Sequence, residues 1–193
     1  MKNKKIVTLA ENCVLQEFNI DMFDKNIQIE LNKNTTALIS NSNLKRRLNA
    51  LDKDKIIKEN RRELIGNPLE VIIYIKSVIR NILWGLGGIT KEEKTFGLNG
   101  YYDLEIDDAI MFKNAFGSNV SESLLRTKLL EITTYIIKDC FEKYLKDRNG
   151  IDELNLGKEK LEDMILLALE HSISLADVGV KITNVKVESF IKN

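Results

Sequence analysis

Between residues 96 and 106 apolar and polar positions alternate without a break. Phe96, Leu98, Gly100, Tyr102, Leu104 and Ile106 take the even positions, while Gly97, Asn99, Tyr101, Asp103, Glu105 and Asp107 take the odd ones. A side-chain repeat of two predicts a strand with one oily face and one wet face. A glycine at 100, on the oily face, predicts that another backbone or ring packs closely there. Earlier in the chain, Ile27, Ile29 and Leu31 alternate within Asn26–Leu31, and Thr35–Ser40 is the expected hairpin partner across the turn residues Asn32-Lys33-Asn34. Gly66-Asn67-Pro68 breaks the chain, after which the β-branched run Leu69–Ile75 reads as a buried strand. Val78–Trp84 reads as a further strand and Gly85-Leu86-Gly87-Gly88 as a loop.

Near residue 118 the spacing becomes helical. Asp107 or Asp108 is placed to cap a short helix over Ala109–Phe116, which Gly117 ends. Over Ser121–Lys146, Leu125, Leu129, Ile132, Ile136 and Cys140 recur at steps of three and four, with Asn119 and Glu122 as a capping box. Over Lys158–Asp177 the stripe is Leu161, Met164, Ile165, Ala168, Ser172, Leu175 and Ala176, and Gly179 stops the helix. In Val180–Ile191 alternation returns, but Val180/Ile182 and Val185/Val187 are out of phase by one, which predicts a bulge at Thr183-Asn184. The expected class is α+β: a mixed or antiparallel sheet in the N-terminal half, two long amphipathic helices and a closing C-terminal strand. The expected organisation is a single domain over 1–193, strand-rich to 117 and helical with a closing strand from 118.

Composition adds limits. Hydrophobic residues are 44% and charged residues 30% of 193, enough for a real core. Lysine plus arginine (29) balances aspartate plus glutamate (29), so no global field draws in nucleic acid or membrane. Cys13 and Cys140 lie far apart, which predicts neither a disulfide framework nor a zinc site and points to a reducing, cytoplasmic home. The longest aliphatic runs, Val71–Ile75 and Met164–Leu169, fall far short of the roughly 20 residues that span a bilayer.

Each patch of candidate chemistry has a plainer reading beside it. Asp103, Glu105, Asp107 and Asp108 are the densest acidic cluster, but alternation puts the first two on a wet face and makes one of the others a helix cap. His171, next to Ser172 and near Ser174, is the sole histidine; neighbouring helix positions do not face each other, so a packed or half-exposed residue is expected. Gly85–Gly88 lacks the lysine and hydroxyl residue of a phosphate loop. Cys140 sits on an apolar stripe and reads as a core thiol. The segment 44–62 is the one local electrostatic feature. Lys45, Arg46, Arg47, Lys58, Arg61 and Arg62 lead its positive charge, read either as a solvated insertion or as a weak contact for anionic lipid or an acidic partner. Nucleic acid is not expected there, since aromatic residues are not interleaved with the cations.

Gly100, Tyr102, Ile106, Asp108 and Phe112 fall at the positions of a strand written G-x-Y-x-x-[RK]-I-x-D-P-x-x-F. Leu175, Gly179, Val180, Ile182, Val185 and Val187 match a helix-to-strand exit written G-[IV]-x-[IV]. In these residues the chain resembles the SPFH/band-7 (stomatin–prohibitin–flotillin) family. The segment Glu70–Ile89, with Tyr74, Trp84-Gly85 and Ile89, resembles a bacterial branch labelled "virion core protein-like". Glu105 and Ala109 depart from the motif's basic residue and proline, and 41–67 lacks the family's proline–glycine–tyrosine stretch. The resemblance covers about residues 20–191 and implies an SPFH-like fold. It also implies a non-catalytic scaffold or adaptor that self-associates or docks on protein partners. Any contact with an anionic inner membrane face would be peripheral, since the anchor and coiled coil of many relatives have no counterpart in the sequence. The residues expected to matter are structural: Trp84, Tyr102 and Phe112 filling one core, Ile106 on the oily face, Gly100 for close approach, Asp108 as cap and Gly179 as stop. No catalytic, cofactor or metal residues and no small-molecule substrate are expected. The alternatives are a structural subunit of a phage or secretion-type assembly, and an enzyme whose site is not visible in sequence.

Overall fold

Residues 5–20, 27–40, 45–48, 69–148 and 150–192 are described by a computed structural model. The chain divides into two compact units, Met1–Ser77 with Ala109–Leu125 and Val78–Asp108 with Arg126–Asn193. The units therefore part at 77/78, 108/109 and 125/126, not where the sequence changes character near 118.

In the first unit, β2 (Cys13–Ile20), β4 (Thr35–Ser40), β5 (Lys45–Leu48), β6 (Leu69–Ile75) and β9 (Asn119–Ser121) form an antiparallel sheet in the order β5-β4-β6-β2-β9. The strand β6 is central, and Val71, Ile72, Ile73 and Tyr74 are all buried, as expected when both faces of a β-branched run are covered. On one side Val71 and Ile73 join Ala37 and Ile39 in a cluster with Val7 and Ile29. The last two come from β1 (Lys5–Val7) and β3 (Ile27–Ile29), which pair in parallel with each other. The helix α1 (Ala109–Phe116) buries Ala109, Phe112 and Phe116, and Gly117 ends it by donating its N–H to the Lys113 carbonyl at 2.8 Å.

The expected hairpin between Asn26–Leu31 and Thr35–Ser40 does not form. Its turn does: the Thr35 N–H reaches the Asn32 carbonyl at 3.2 Å and the Asn34 N–H reaches Asn32 Oδ1 at 2.8 Å. Turn chemistry reverses the chain but does not choose the partner edge. Here β3 contributes Ile29 to the same cluster that β4 enters through Ala37 and Ile39, so the two meet across a core. The sequence break at Gly66–Pro68 lies outside the described residues, as does the segment near Asp54–Leu64, where the sequence also predicts a short helix.

In the second unit, β7 (Ile79–Lys91), β8 (Lys94–Ile106) and β10 (Val180–Lys192) make an antiparallel sheet in the order β10-β8-β7. The alternation of 96–106 is realised: every even residue from Phe96 to Ile106 is buried. The closing strand joins β8, with the expected bulge between Ile182 and Asn184 and a second between Val187 and Ser189. The glycines at 85–88 are not a loop. The strand β7 runs through them with a bulge between Leu86 and Ile89, and the chain turns only at Glu92-Glu93. Isolated glycines mark either a turn or a bulge, and sequence alone does not separate the two.

The long helix α2 (Glu122–Leu145) starts in the first unit and continues through the second. Its cap is Ser121, whose Oγ accepts from the Leu124 N–H at 3.2 Å, and not the Asn119–Glu122 box. Asn119 instead pairs with Gln16 in β9, because an extended β9 completes the sheet up to the residue before the helix. Along the helix Leu129, Thr133, Ile137, Cys140, Phe141, Tyr144 and Leu145 are buried, while Ile132 and Ile136 are half-buried. Two helices replace the single one expected over Lys158–Asp177: α4 (Lys158–Glu170) and α5 (Ile173–Asp177), with α3 (Ile151–Leu156) ahead of them. The break falls where the Ser172 hydroxyl accepts from the Leu175 N–H, so a hydroxyl on the apolar stripe becomes a new N-cap. Gly179 ends α5 at φ +69°, a left-handed conformation that glycine adopts without a Cβ penalty.

Candidate functional site

The site is built from the residues on β8 outward. Gly100 pairs with Val187 on one side and Trp84 on the other. A Cβ there would lie 2.0 Å from the Lys186 carbonyl oxygen and 2.8 Å from Trp84 Cζ2, so both the backbone and the ring expected from the sequence are present. Trp84 and Tyr102 are buried, and neither the Trp84 indole N–H nor the Tyr102 hydroxyl has a hydrogen-bond partner among the described residues. Thr133 stands nearby, but its hydroxyl donates to the Leu129 carbonyl at 2.8 Å. Burial pushes the Tyr102 phenol up to about 12, with the Thr133 hydroxyl and the Arg126 charge pulling the other way. Ile106 is buried opposite Val180, and the Asp107 and Asp108 N–H groups donate to the Gly179 carbonyl. Phe112 corrects the expectation of one shared core. It belongs to the other unit, where its ring stacks on Phe116 at 4.5 Å. A residue six positions beyond Ile106 lies past the point where the chain crosses between units.

The acidic run also separates. Asp107 and Asp108 are exposed, and Asp103 is committed to one backbone N–H and one side-chain amide. Its Oδ1 accepts from the Asn81 N–H at 2.9 Å and its Oδ2 from Asn184 Nδ2 at 3.3 Å. Asn81 lies in the register shift between Ile79 and Ile82, at φ +58°, and Asn184 lies at the bulge of β10. One carboxylate therefore fastens irregularities on both neighbours of β8. Among the described residues no group of three His, Cys, Asp or Glu side chains is arranged to hold a metal ion.

His171 is exposed at the end of α4, with Nδ1 2.9 Å from the Leu167 carbonyl oxygen, while Ser172 faces the helix that it caps. Among the described residues no hydrogen bond joins the His171 ring to the Ser172 hydroxyl. Cys140 is buried with Sγ 3.7 Å from the Met164 carbonyl, and burial pushes its thiol up, away from reactivity. Of the basic segment, Lys45, Arg46 and Arg47 lie on β5, the outermost strand of its sheet among the described residues, in register with Ser40, Ile39 and Leu38. Lys58, Arg61 and Arg62 lie outside the described residues. Among the described residues no helix is long and apolar enough to cross a membrane.

Three arrangements were not visible in sequence. In the first unit, Lys113 of α1 pairs with Glu70 of β6 and, at 3.5 Å, with Glu17 of β2. The Ser40 hydroxyl donates to Glu70 at 3.1 Å and the Ser118 hydroxyl to Glu17. The Lys113 hydrogen bond holds the Glu70 carboxyl below the ordinary carboxylate range against the opposing pull of burial, and Glu70 in turn raises Lys113. A carboxylate kept ionised and an ammonium kept protonated anchor a helix; they are poorly set for proton transfer or nucleophilic attack. The one available signal was an acid, Glu70, at the start of an otherwise hydrophobic strand.

In the second unit, buried Glu162 of α4 reaches β10: Oε1 accepts from the Val187 N–H at 2.9 Å and Oε2 from Lys186 Nζ at 2.7 Å. Lys91, where β7 ends, donates to the carbonyls of Leu145, Lys146 and Arg148 at 2.7, 2.7 and 3.1 Å. Beside it is a hollow of about 450 Å³ between Gly88–Lys91 and the Lys138, Glu142, Leu145 and Lys146 side of α2. Set against known proteins, the chain matches no family model and no curated protein.

Proposed function

We propose that the chain is a non-catalytic scaffold or adaptor domain of the SPFH kind, working by self-association or by docking on another protein. The observation that carries this reading is the register of β8 on β10. Gly100 lies opposite Val187, Tyr102 opposite Val185 and Ile106 opposite Val180, so the strand parts of the two motifs on which the resemblance rests pair in one sheet, while Asp108 and Phe112 lie beyond it. The two strands lie about 80 residues apart in sequence, and nothing local in either requires them to meet. The long helix between them and the helix-ending Gly179 also follow the order that the resemblance implies.

A docking role is supported by large apolar side chains left in solvent on the helices: Leu156 is 90% exposed, Tyr135 78% and Ile173 77%. They lie on α3, α2 and α5 and are side chains that these helices leave uncovered. Light scattering across a concentration series is expected to show mass above that of the monomer, reduced by Tyr135→Ser or Leu156→Ser. A monomer throughout, with no partner whose capture depends on these two positions, would sink the reading. The proposed compartment is the cytoplasm, where the unpaired thiols of Cys13 and Cys140 stay reduced. Peripheral contact of β5 with anionic lipid is proposed as weak, since each basic residue contributes only ~1 kcal/mol at such a surface. Absence of co-sedimentation with anionic vesicles at low salt removes it.

A further inference from the structure

We infer that the hollow beside Lys91 binds a small multivalent oxyanion, a phosphate ester or a di- or tricarboxylate. This goes beyond the scaffold reading and does not rest on it. Two facing elements supply the site, the glycine-rich end of β7 and the last turns of α2. Three lysines line it, Lys91, Lys138 and Lys146, against one acid, Glu142. Such a surplus of positive charge in a concave, solvent-open space concentrates anions.

The helix end works against an anion. The C-terminal carbonyls of a helix carry partial negative charge and repel an anion. In this chain Lys91 donates to the carbonyls of Leu145, Lys146 and Arg148, which covers that pole with an ammonium. Lys91 thus has a structural task, and the ligand-facing charges are Lys138 and Lys146. Lys138 is shared with Glu142 at 3.7 Å, both about half exposed, while among the described residues no carboxylate pairs with Lys146. An entering oxyanion takes over Glu142's hold on Lys138 and adds Lys146. On the other wall, a Cβ on Gly87 or Gly88 would meet nothing within 4 Å. The bulged backbone there is open to a ligand, and Gly88 itself lines the space. A volume of about 450 Å³ suits a metabolite-sized ligand.

The sign of the response to charge makes the idea testable. The full chain is titrated with citrate and, separately, with inorganic pyrophosphate, by calorimetry and amide chemical shifts at constant ionic strength. Saturable binding is expected, with shifts centred on Gly88–Lys91 and the end of α2. Lys138→Gln and Lys146→Gln are each expected to weaken it about three- to fivefold, the scale of one exposed charge pair. Glu142→Gln is expected to tighten it, because the competing carboxylate is gone. Response to one probe alone assigns the ligand to carboxylates or to phosphates. No saturable binding of either probe, or binding that all three variants leave unchanged, overturns the inference. Lys138, Glu142 and Lys146 are solvent-facing, and an unchanged urea midpoint in each variant confirms that folding is not what moved.

Discussion

Gly100 and Tyr102 show how single positions set the second unit. At Gly100 a methyl group would meet the Lys186 carbonyl oxygen at 2.0 Å, far inside contact, and neither a ladder strand nor the Trp84 ring yields cheaply. Gly100→Ala is therefore expected to cost about 3 kcal/mol or more, at the upper end of overpacking penalties, read from the urea midpoint. Tyr102 separates two contributions of one side chain. Its ring fills the core, so Tyr102→Ala should cost ~3–5 kcal/mol. Its hydroxyl is buried without a hydrogen-bond partner among the described residues, so Tyr102→Phe should leave stability equal or raise it by up to about 1 kcal/mol. A large loss in the phenylalanine variant would show that the hydroxyl is bonded after all. The phenol pKa has a consequence of its own. A folded value of about 12 exceeds the ordinary value of 10, so its contribution to stability is complete below pH 10 and disappears as pH rises through 12.

Among the elements, the β7–β8 hairpin is held by its length and its partners in spite of its turn. Lys91 pairs with Lys94 across Glu92 and Glu93, which sit at φ +49° and +64°. Two positive φ values suit the twist of a two-residue hairpin, yet glutamate has no preference for that conformation. Replacing Glu92-Glu93 by Asn-Gly is expected to raise the thermal midpoint, with a gain of about 0.5–1 kcal/mol per relieved residue. In the first unit, α1 is tied to its sheet by the Lys113–Glu70 and Lys113–Glu17 pairs. The folded Glu70 carboxyl is depressed below 4.5, so its contribution is present above that value and is lost as pH falls through the folded pKa. Lys113 is raised above 10.5, so its share is lost only as pH climbs past that value. Glu70→Gln should therefore flatten the acid limb of a stability–pH profile below pH 4.5 while leaving the limb between 5 and 8 parallel to wild type. An unchanged acid limb would mean that the pair is solvated and idle.

For the molecule as a whole, charge balance bears on how association is tested. With 29 basic and 29 acidic residues the net charge is near zero at pH 7, where colloidal repulsion is least. Assembly through the exposed helical side chains should persist at pH 8.5 and in moderate salt, and it should respond to Tyr135→Ser. Aggregation through missing repulsion would be indifferent to that single substitution. The chain's division into two units also limits what a local variant does. The Lys113 cluster lies within one unit and Gly100 and Tyr102 within the other.

The pattern along the chain determined the strands at 69–75, 96–106 and 180–191, the place of the long helix, the stops at Gly117 and Gly179 and the bulge near Asn184. Alternation at 96–106, the phase slip at 183–184 and the glycines at 117 and 179 all act within a few residues, where backbone sterics and the side-chain period decide the outcome. Tertiary structure decided the pairings. Whether Gly85–Gly88 turned or bulged depended on what β8 offered opposite, and whether 158–177 was one helix or two depended on a hydroxyl capping against the stripe. That β3 joined β1 instead of β4, and that Phe112 went to the other unit from Tyr102, depended on which apolar faces were left to cover. The candidate site was legible only in its structural part. Lys91, Lys138 and Lys146 lie up to 55 positions apart and carry no shared motif, because charges come together wherever long-range packing sets two backbones side by side.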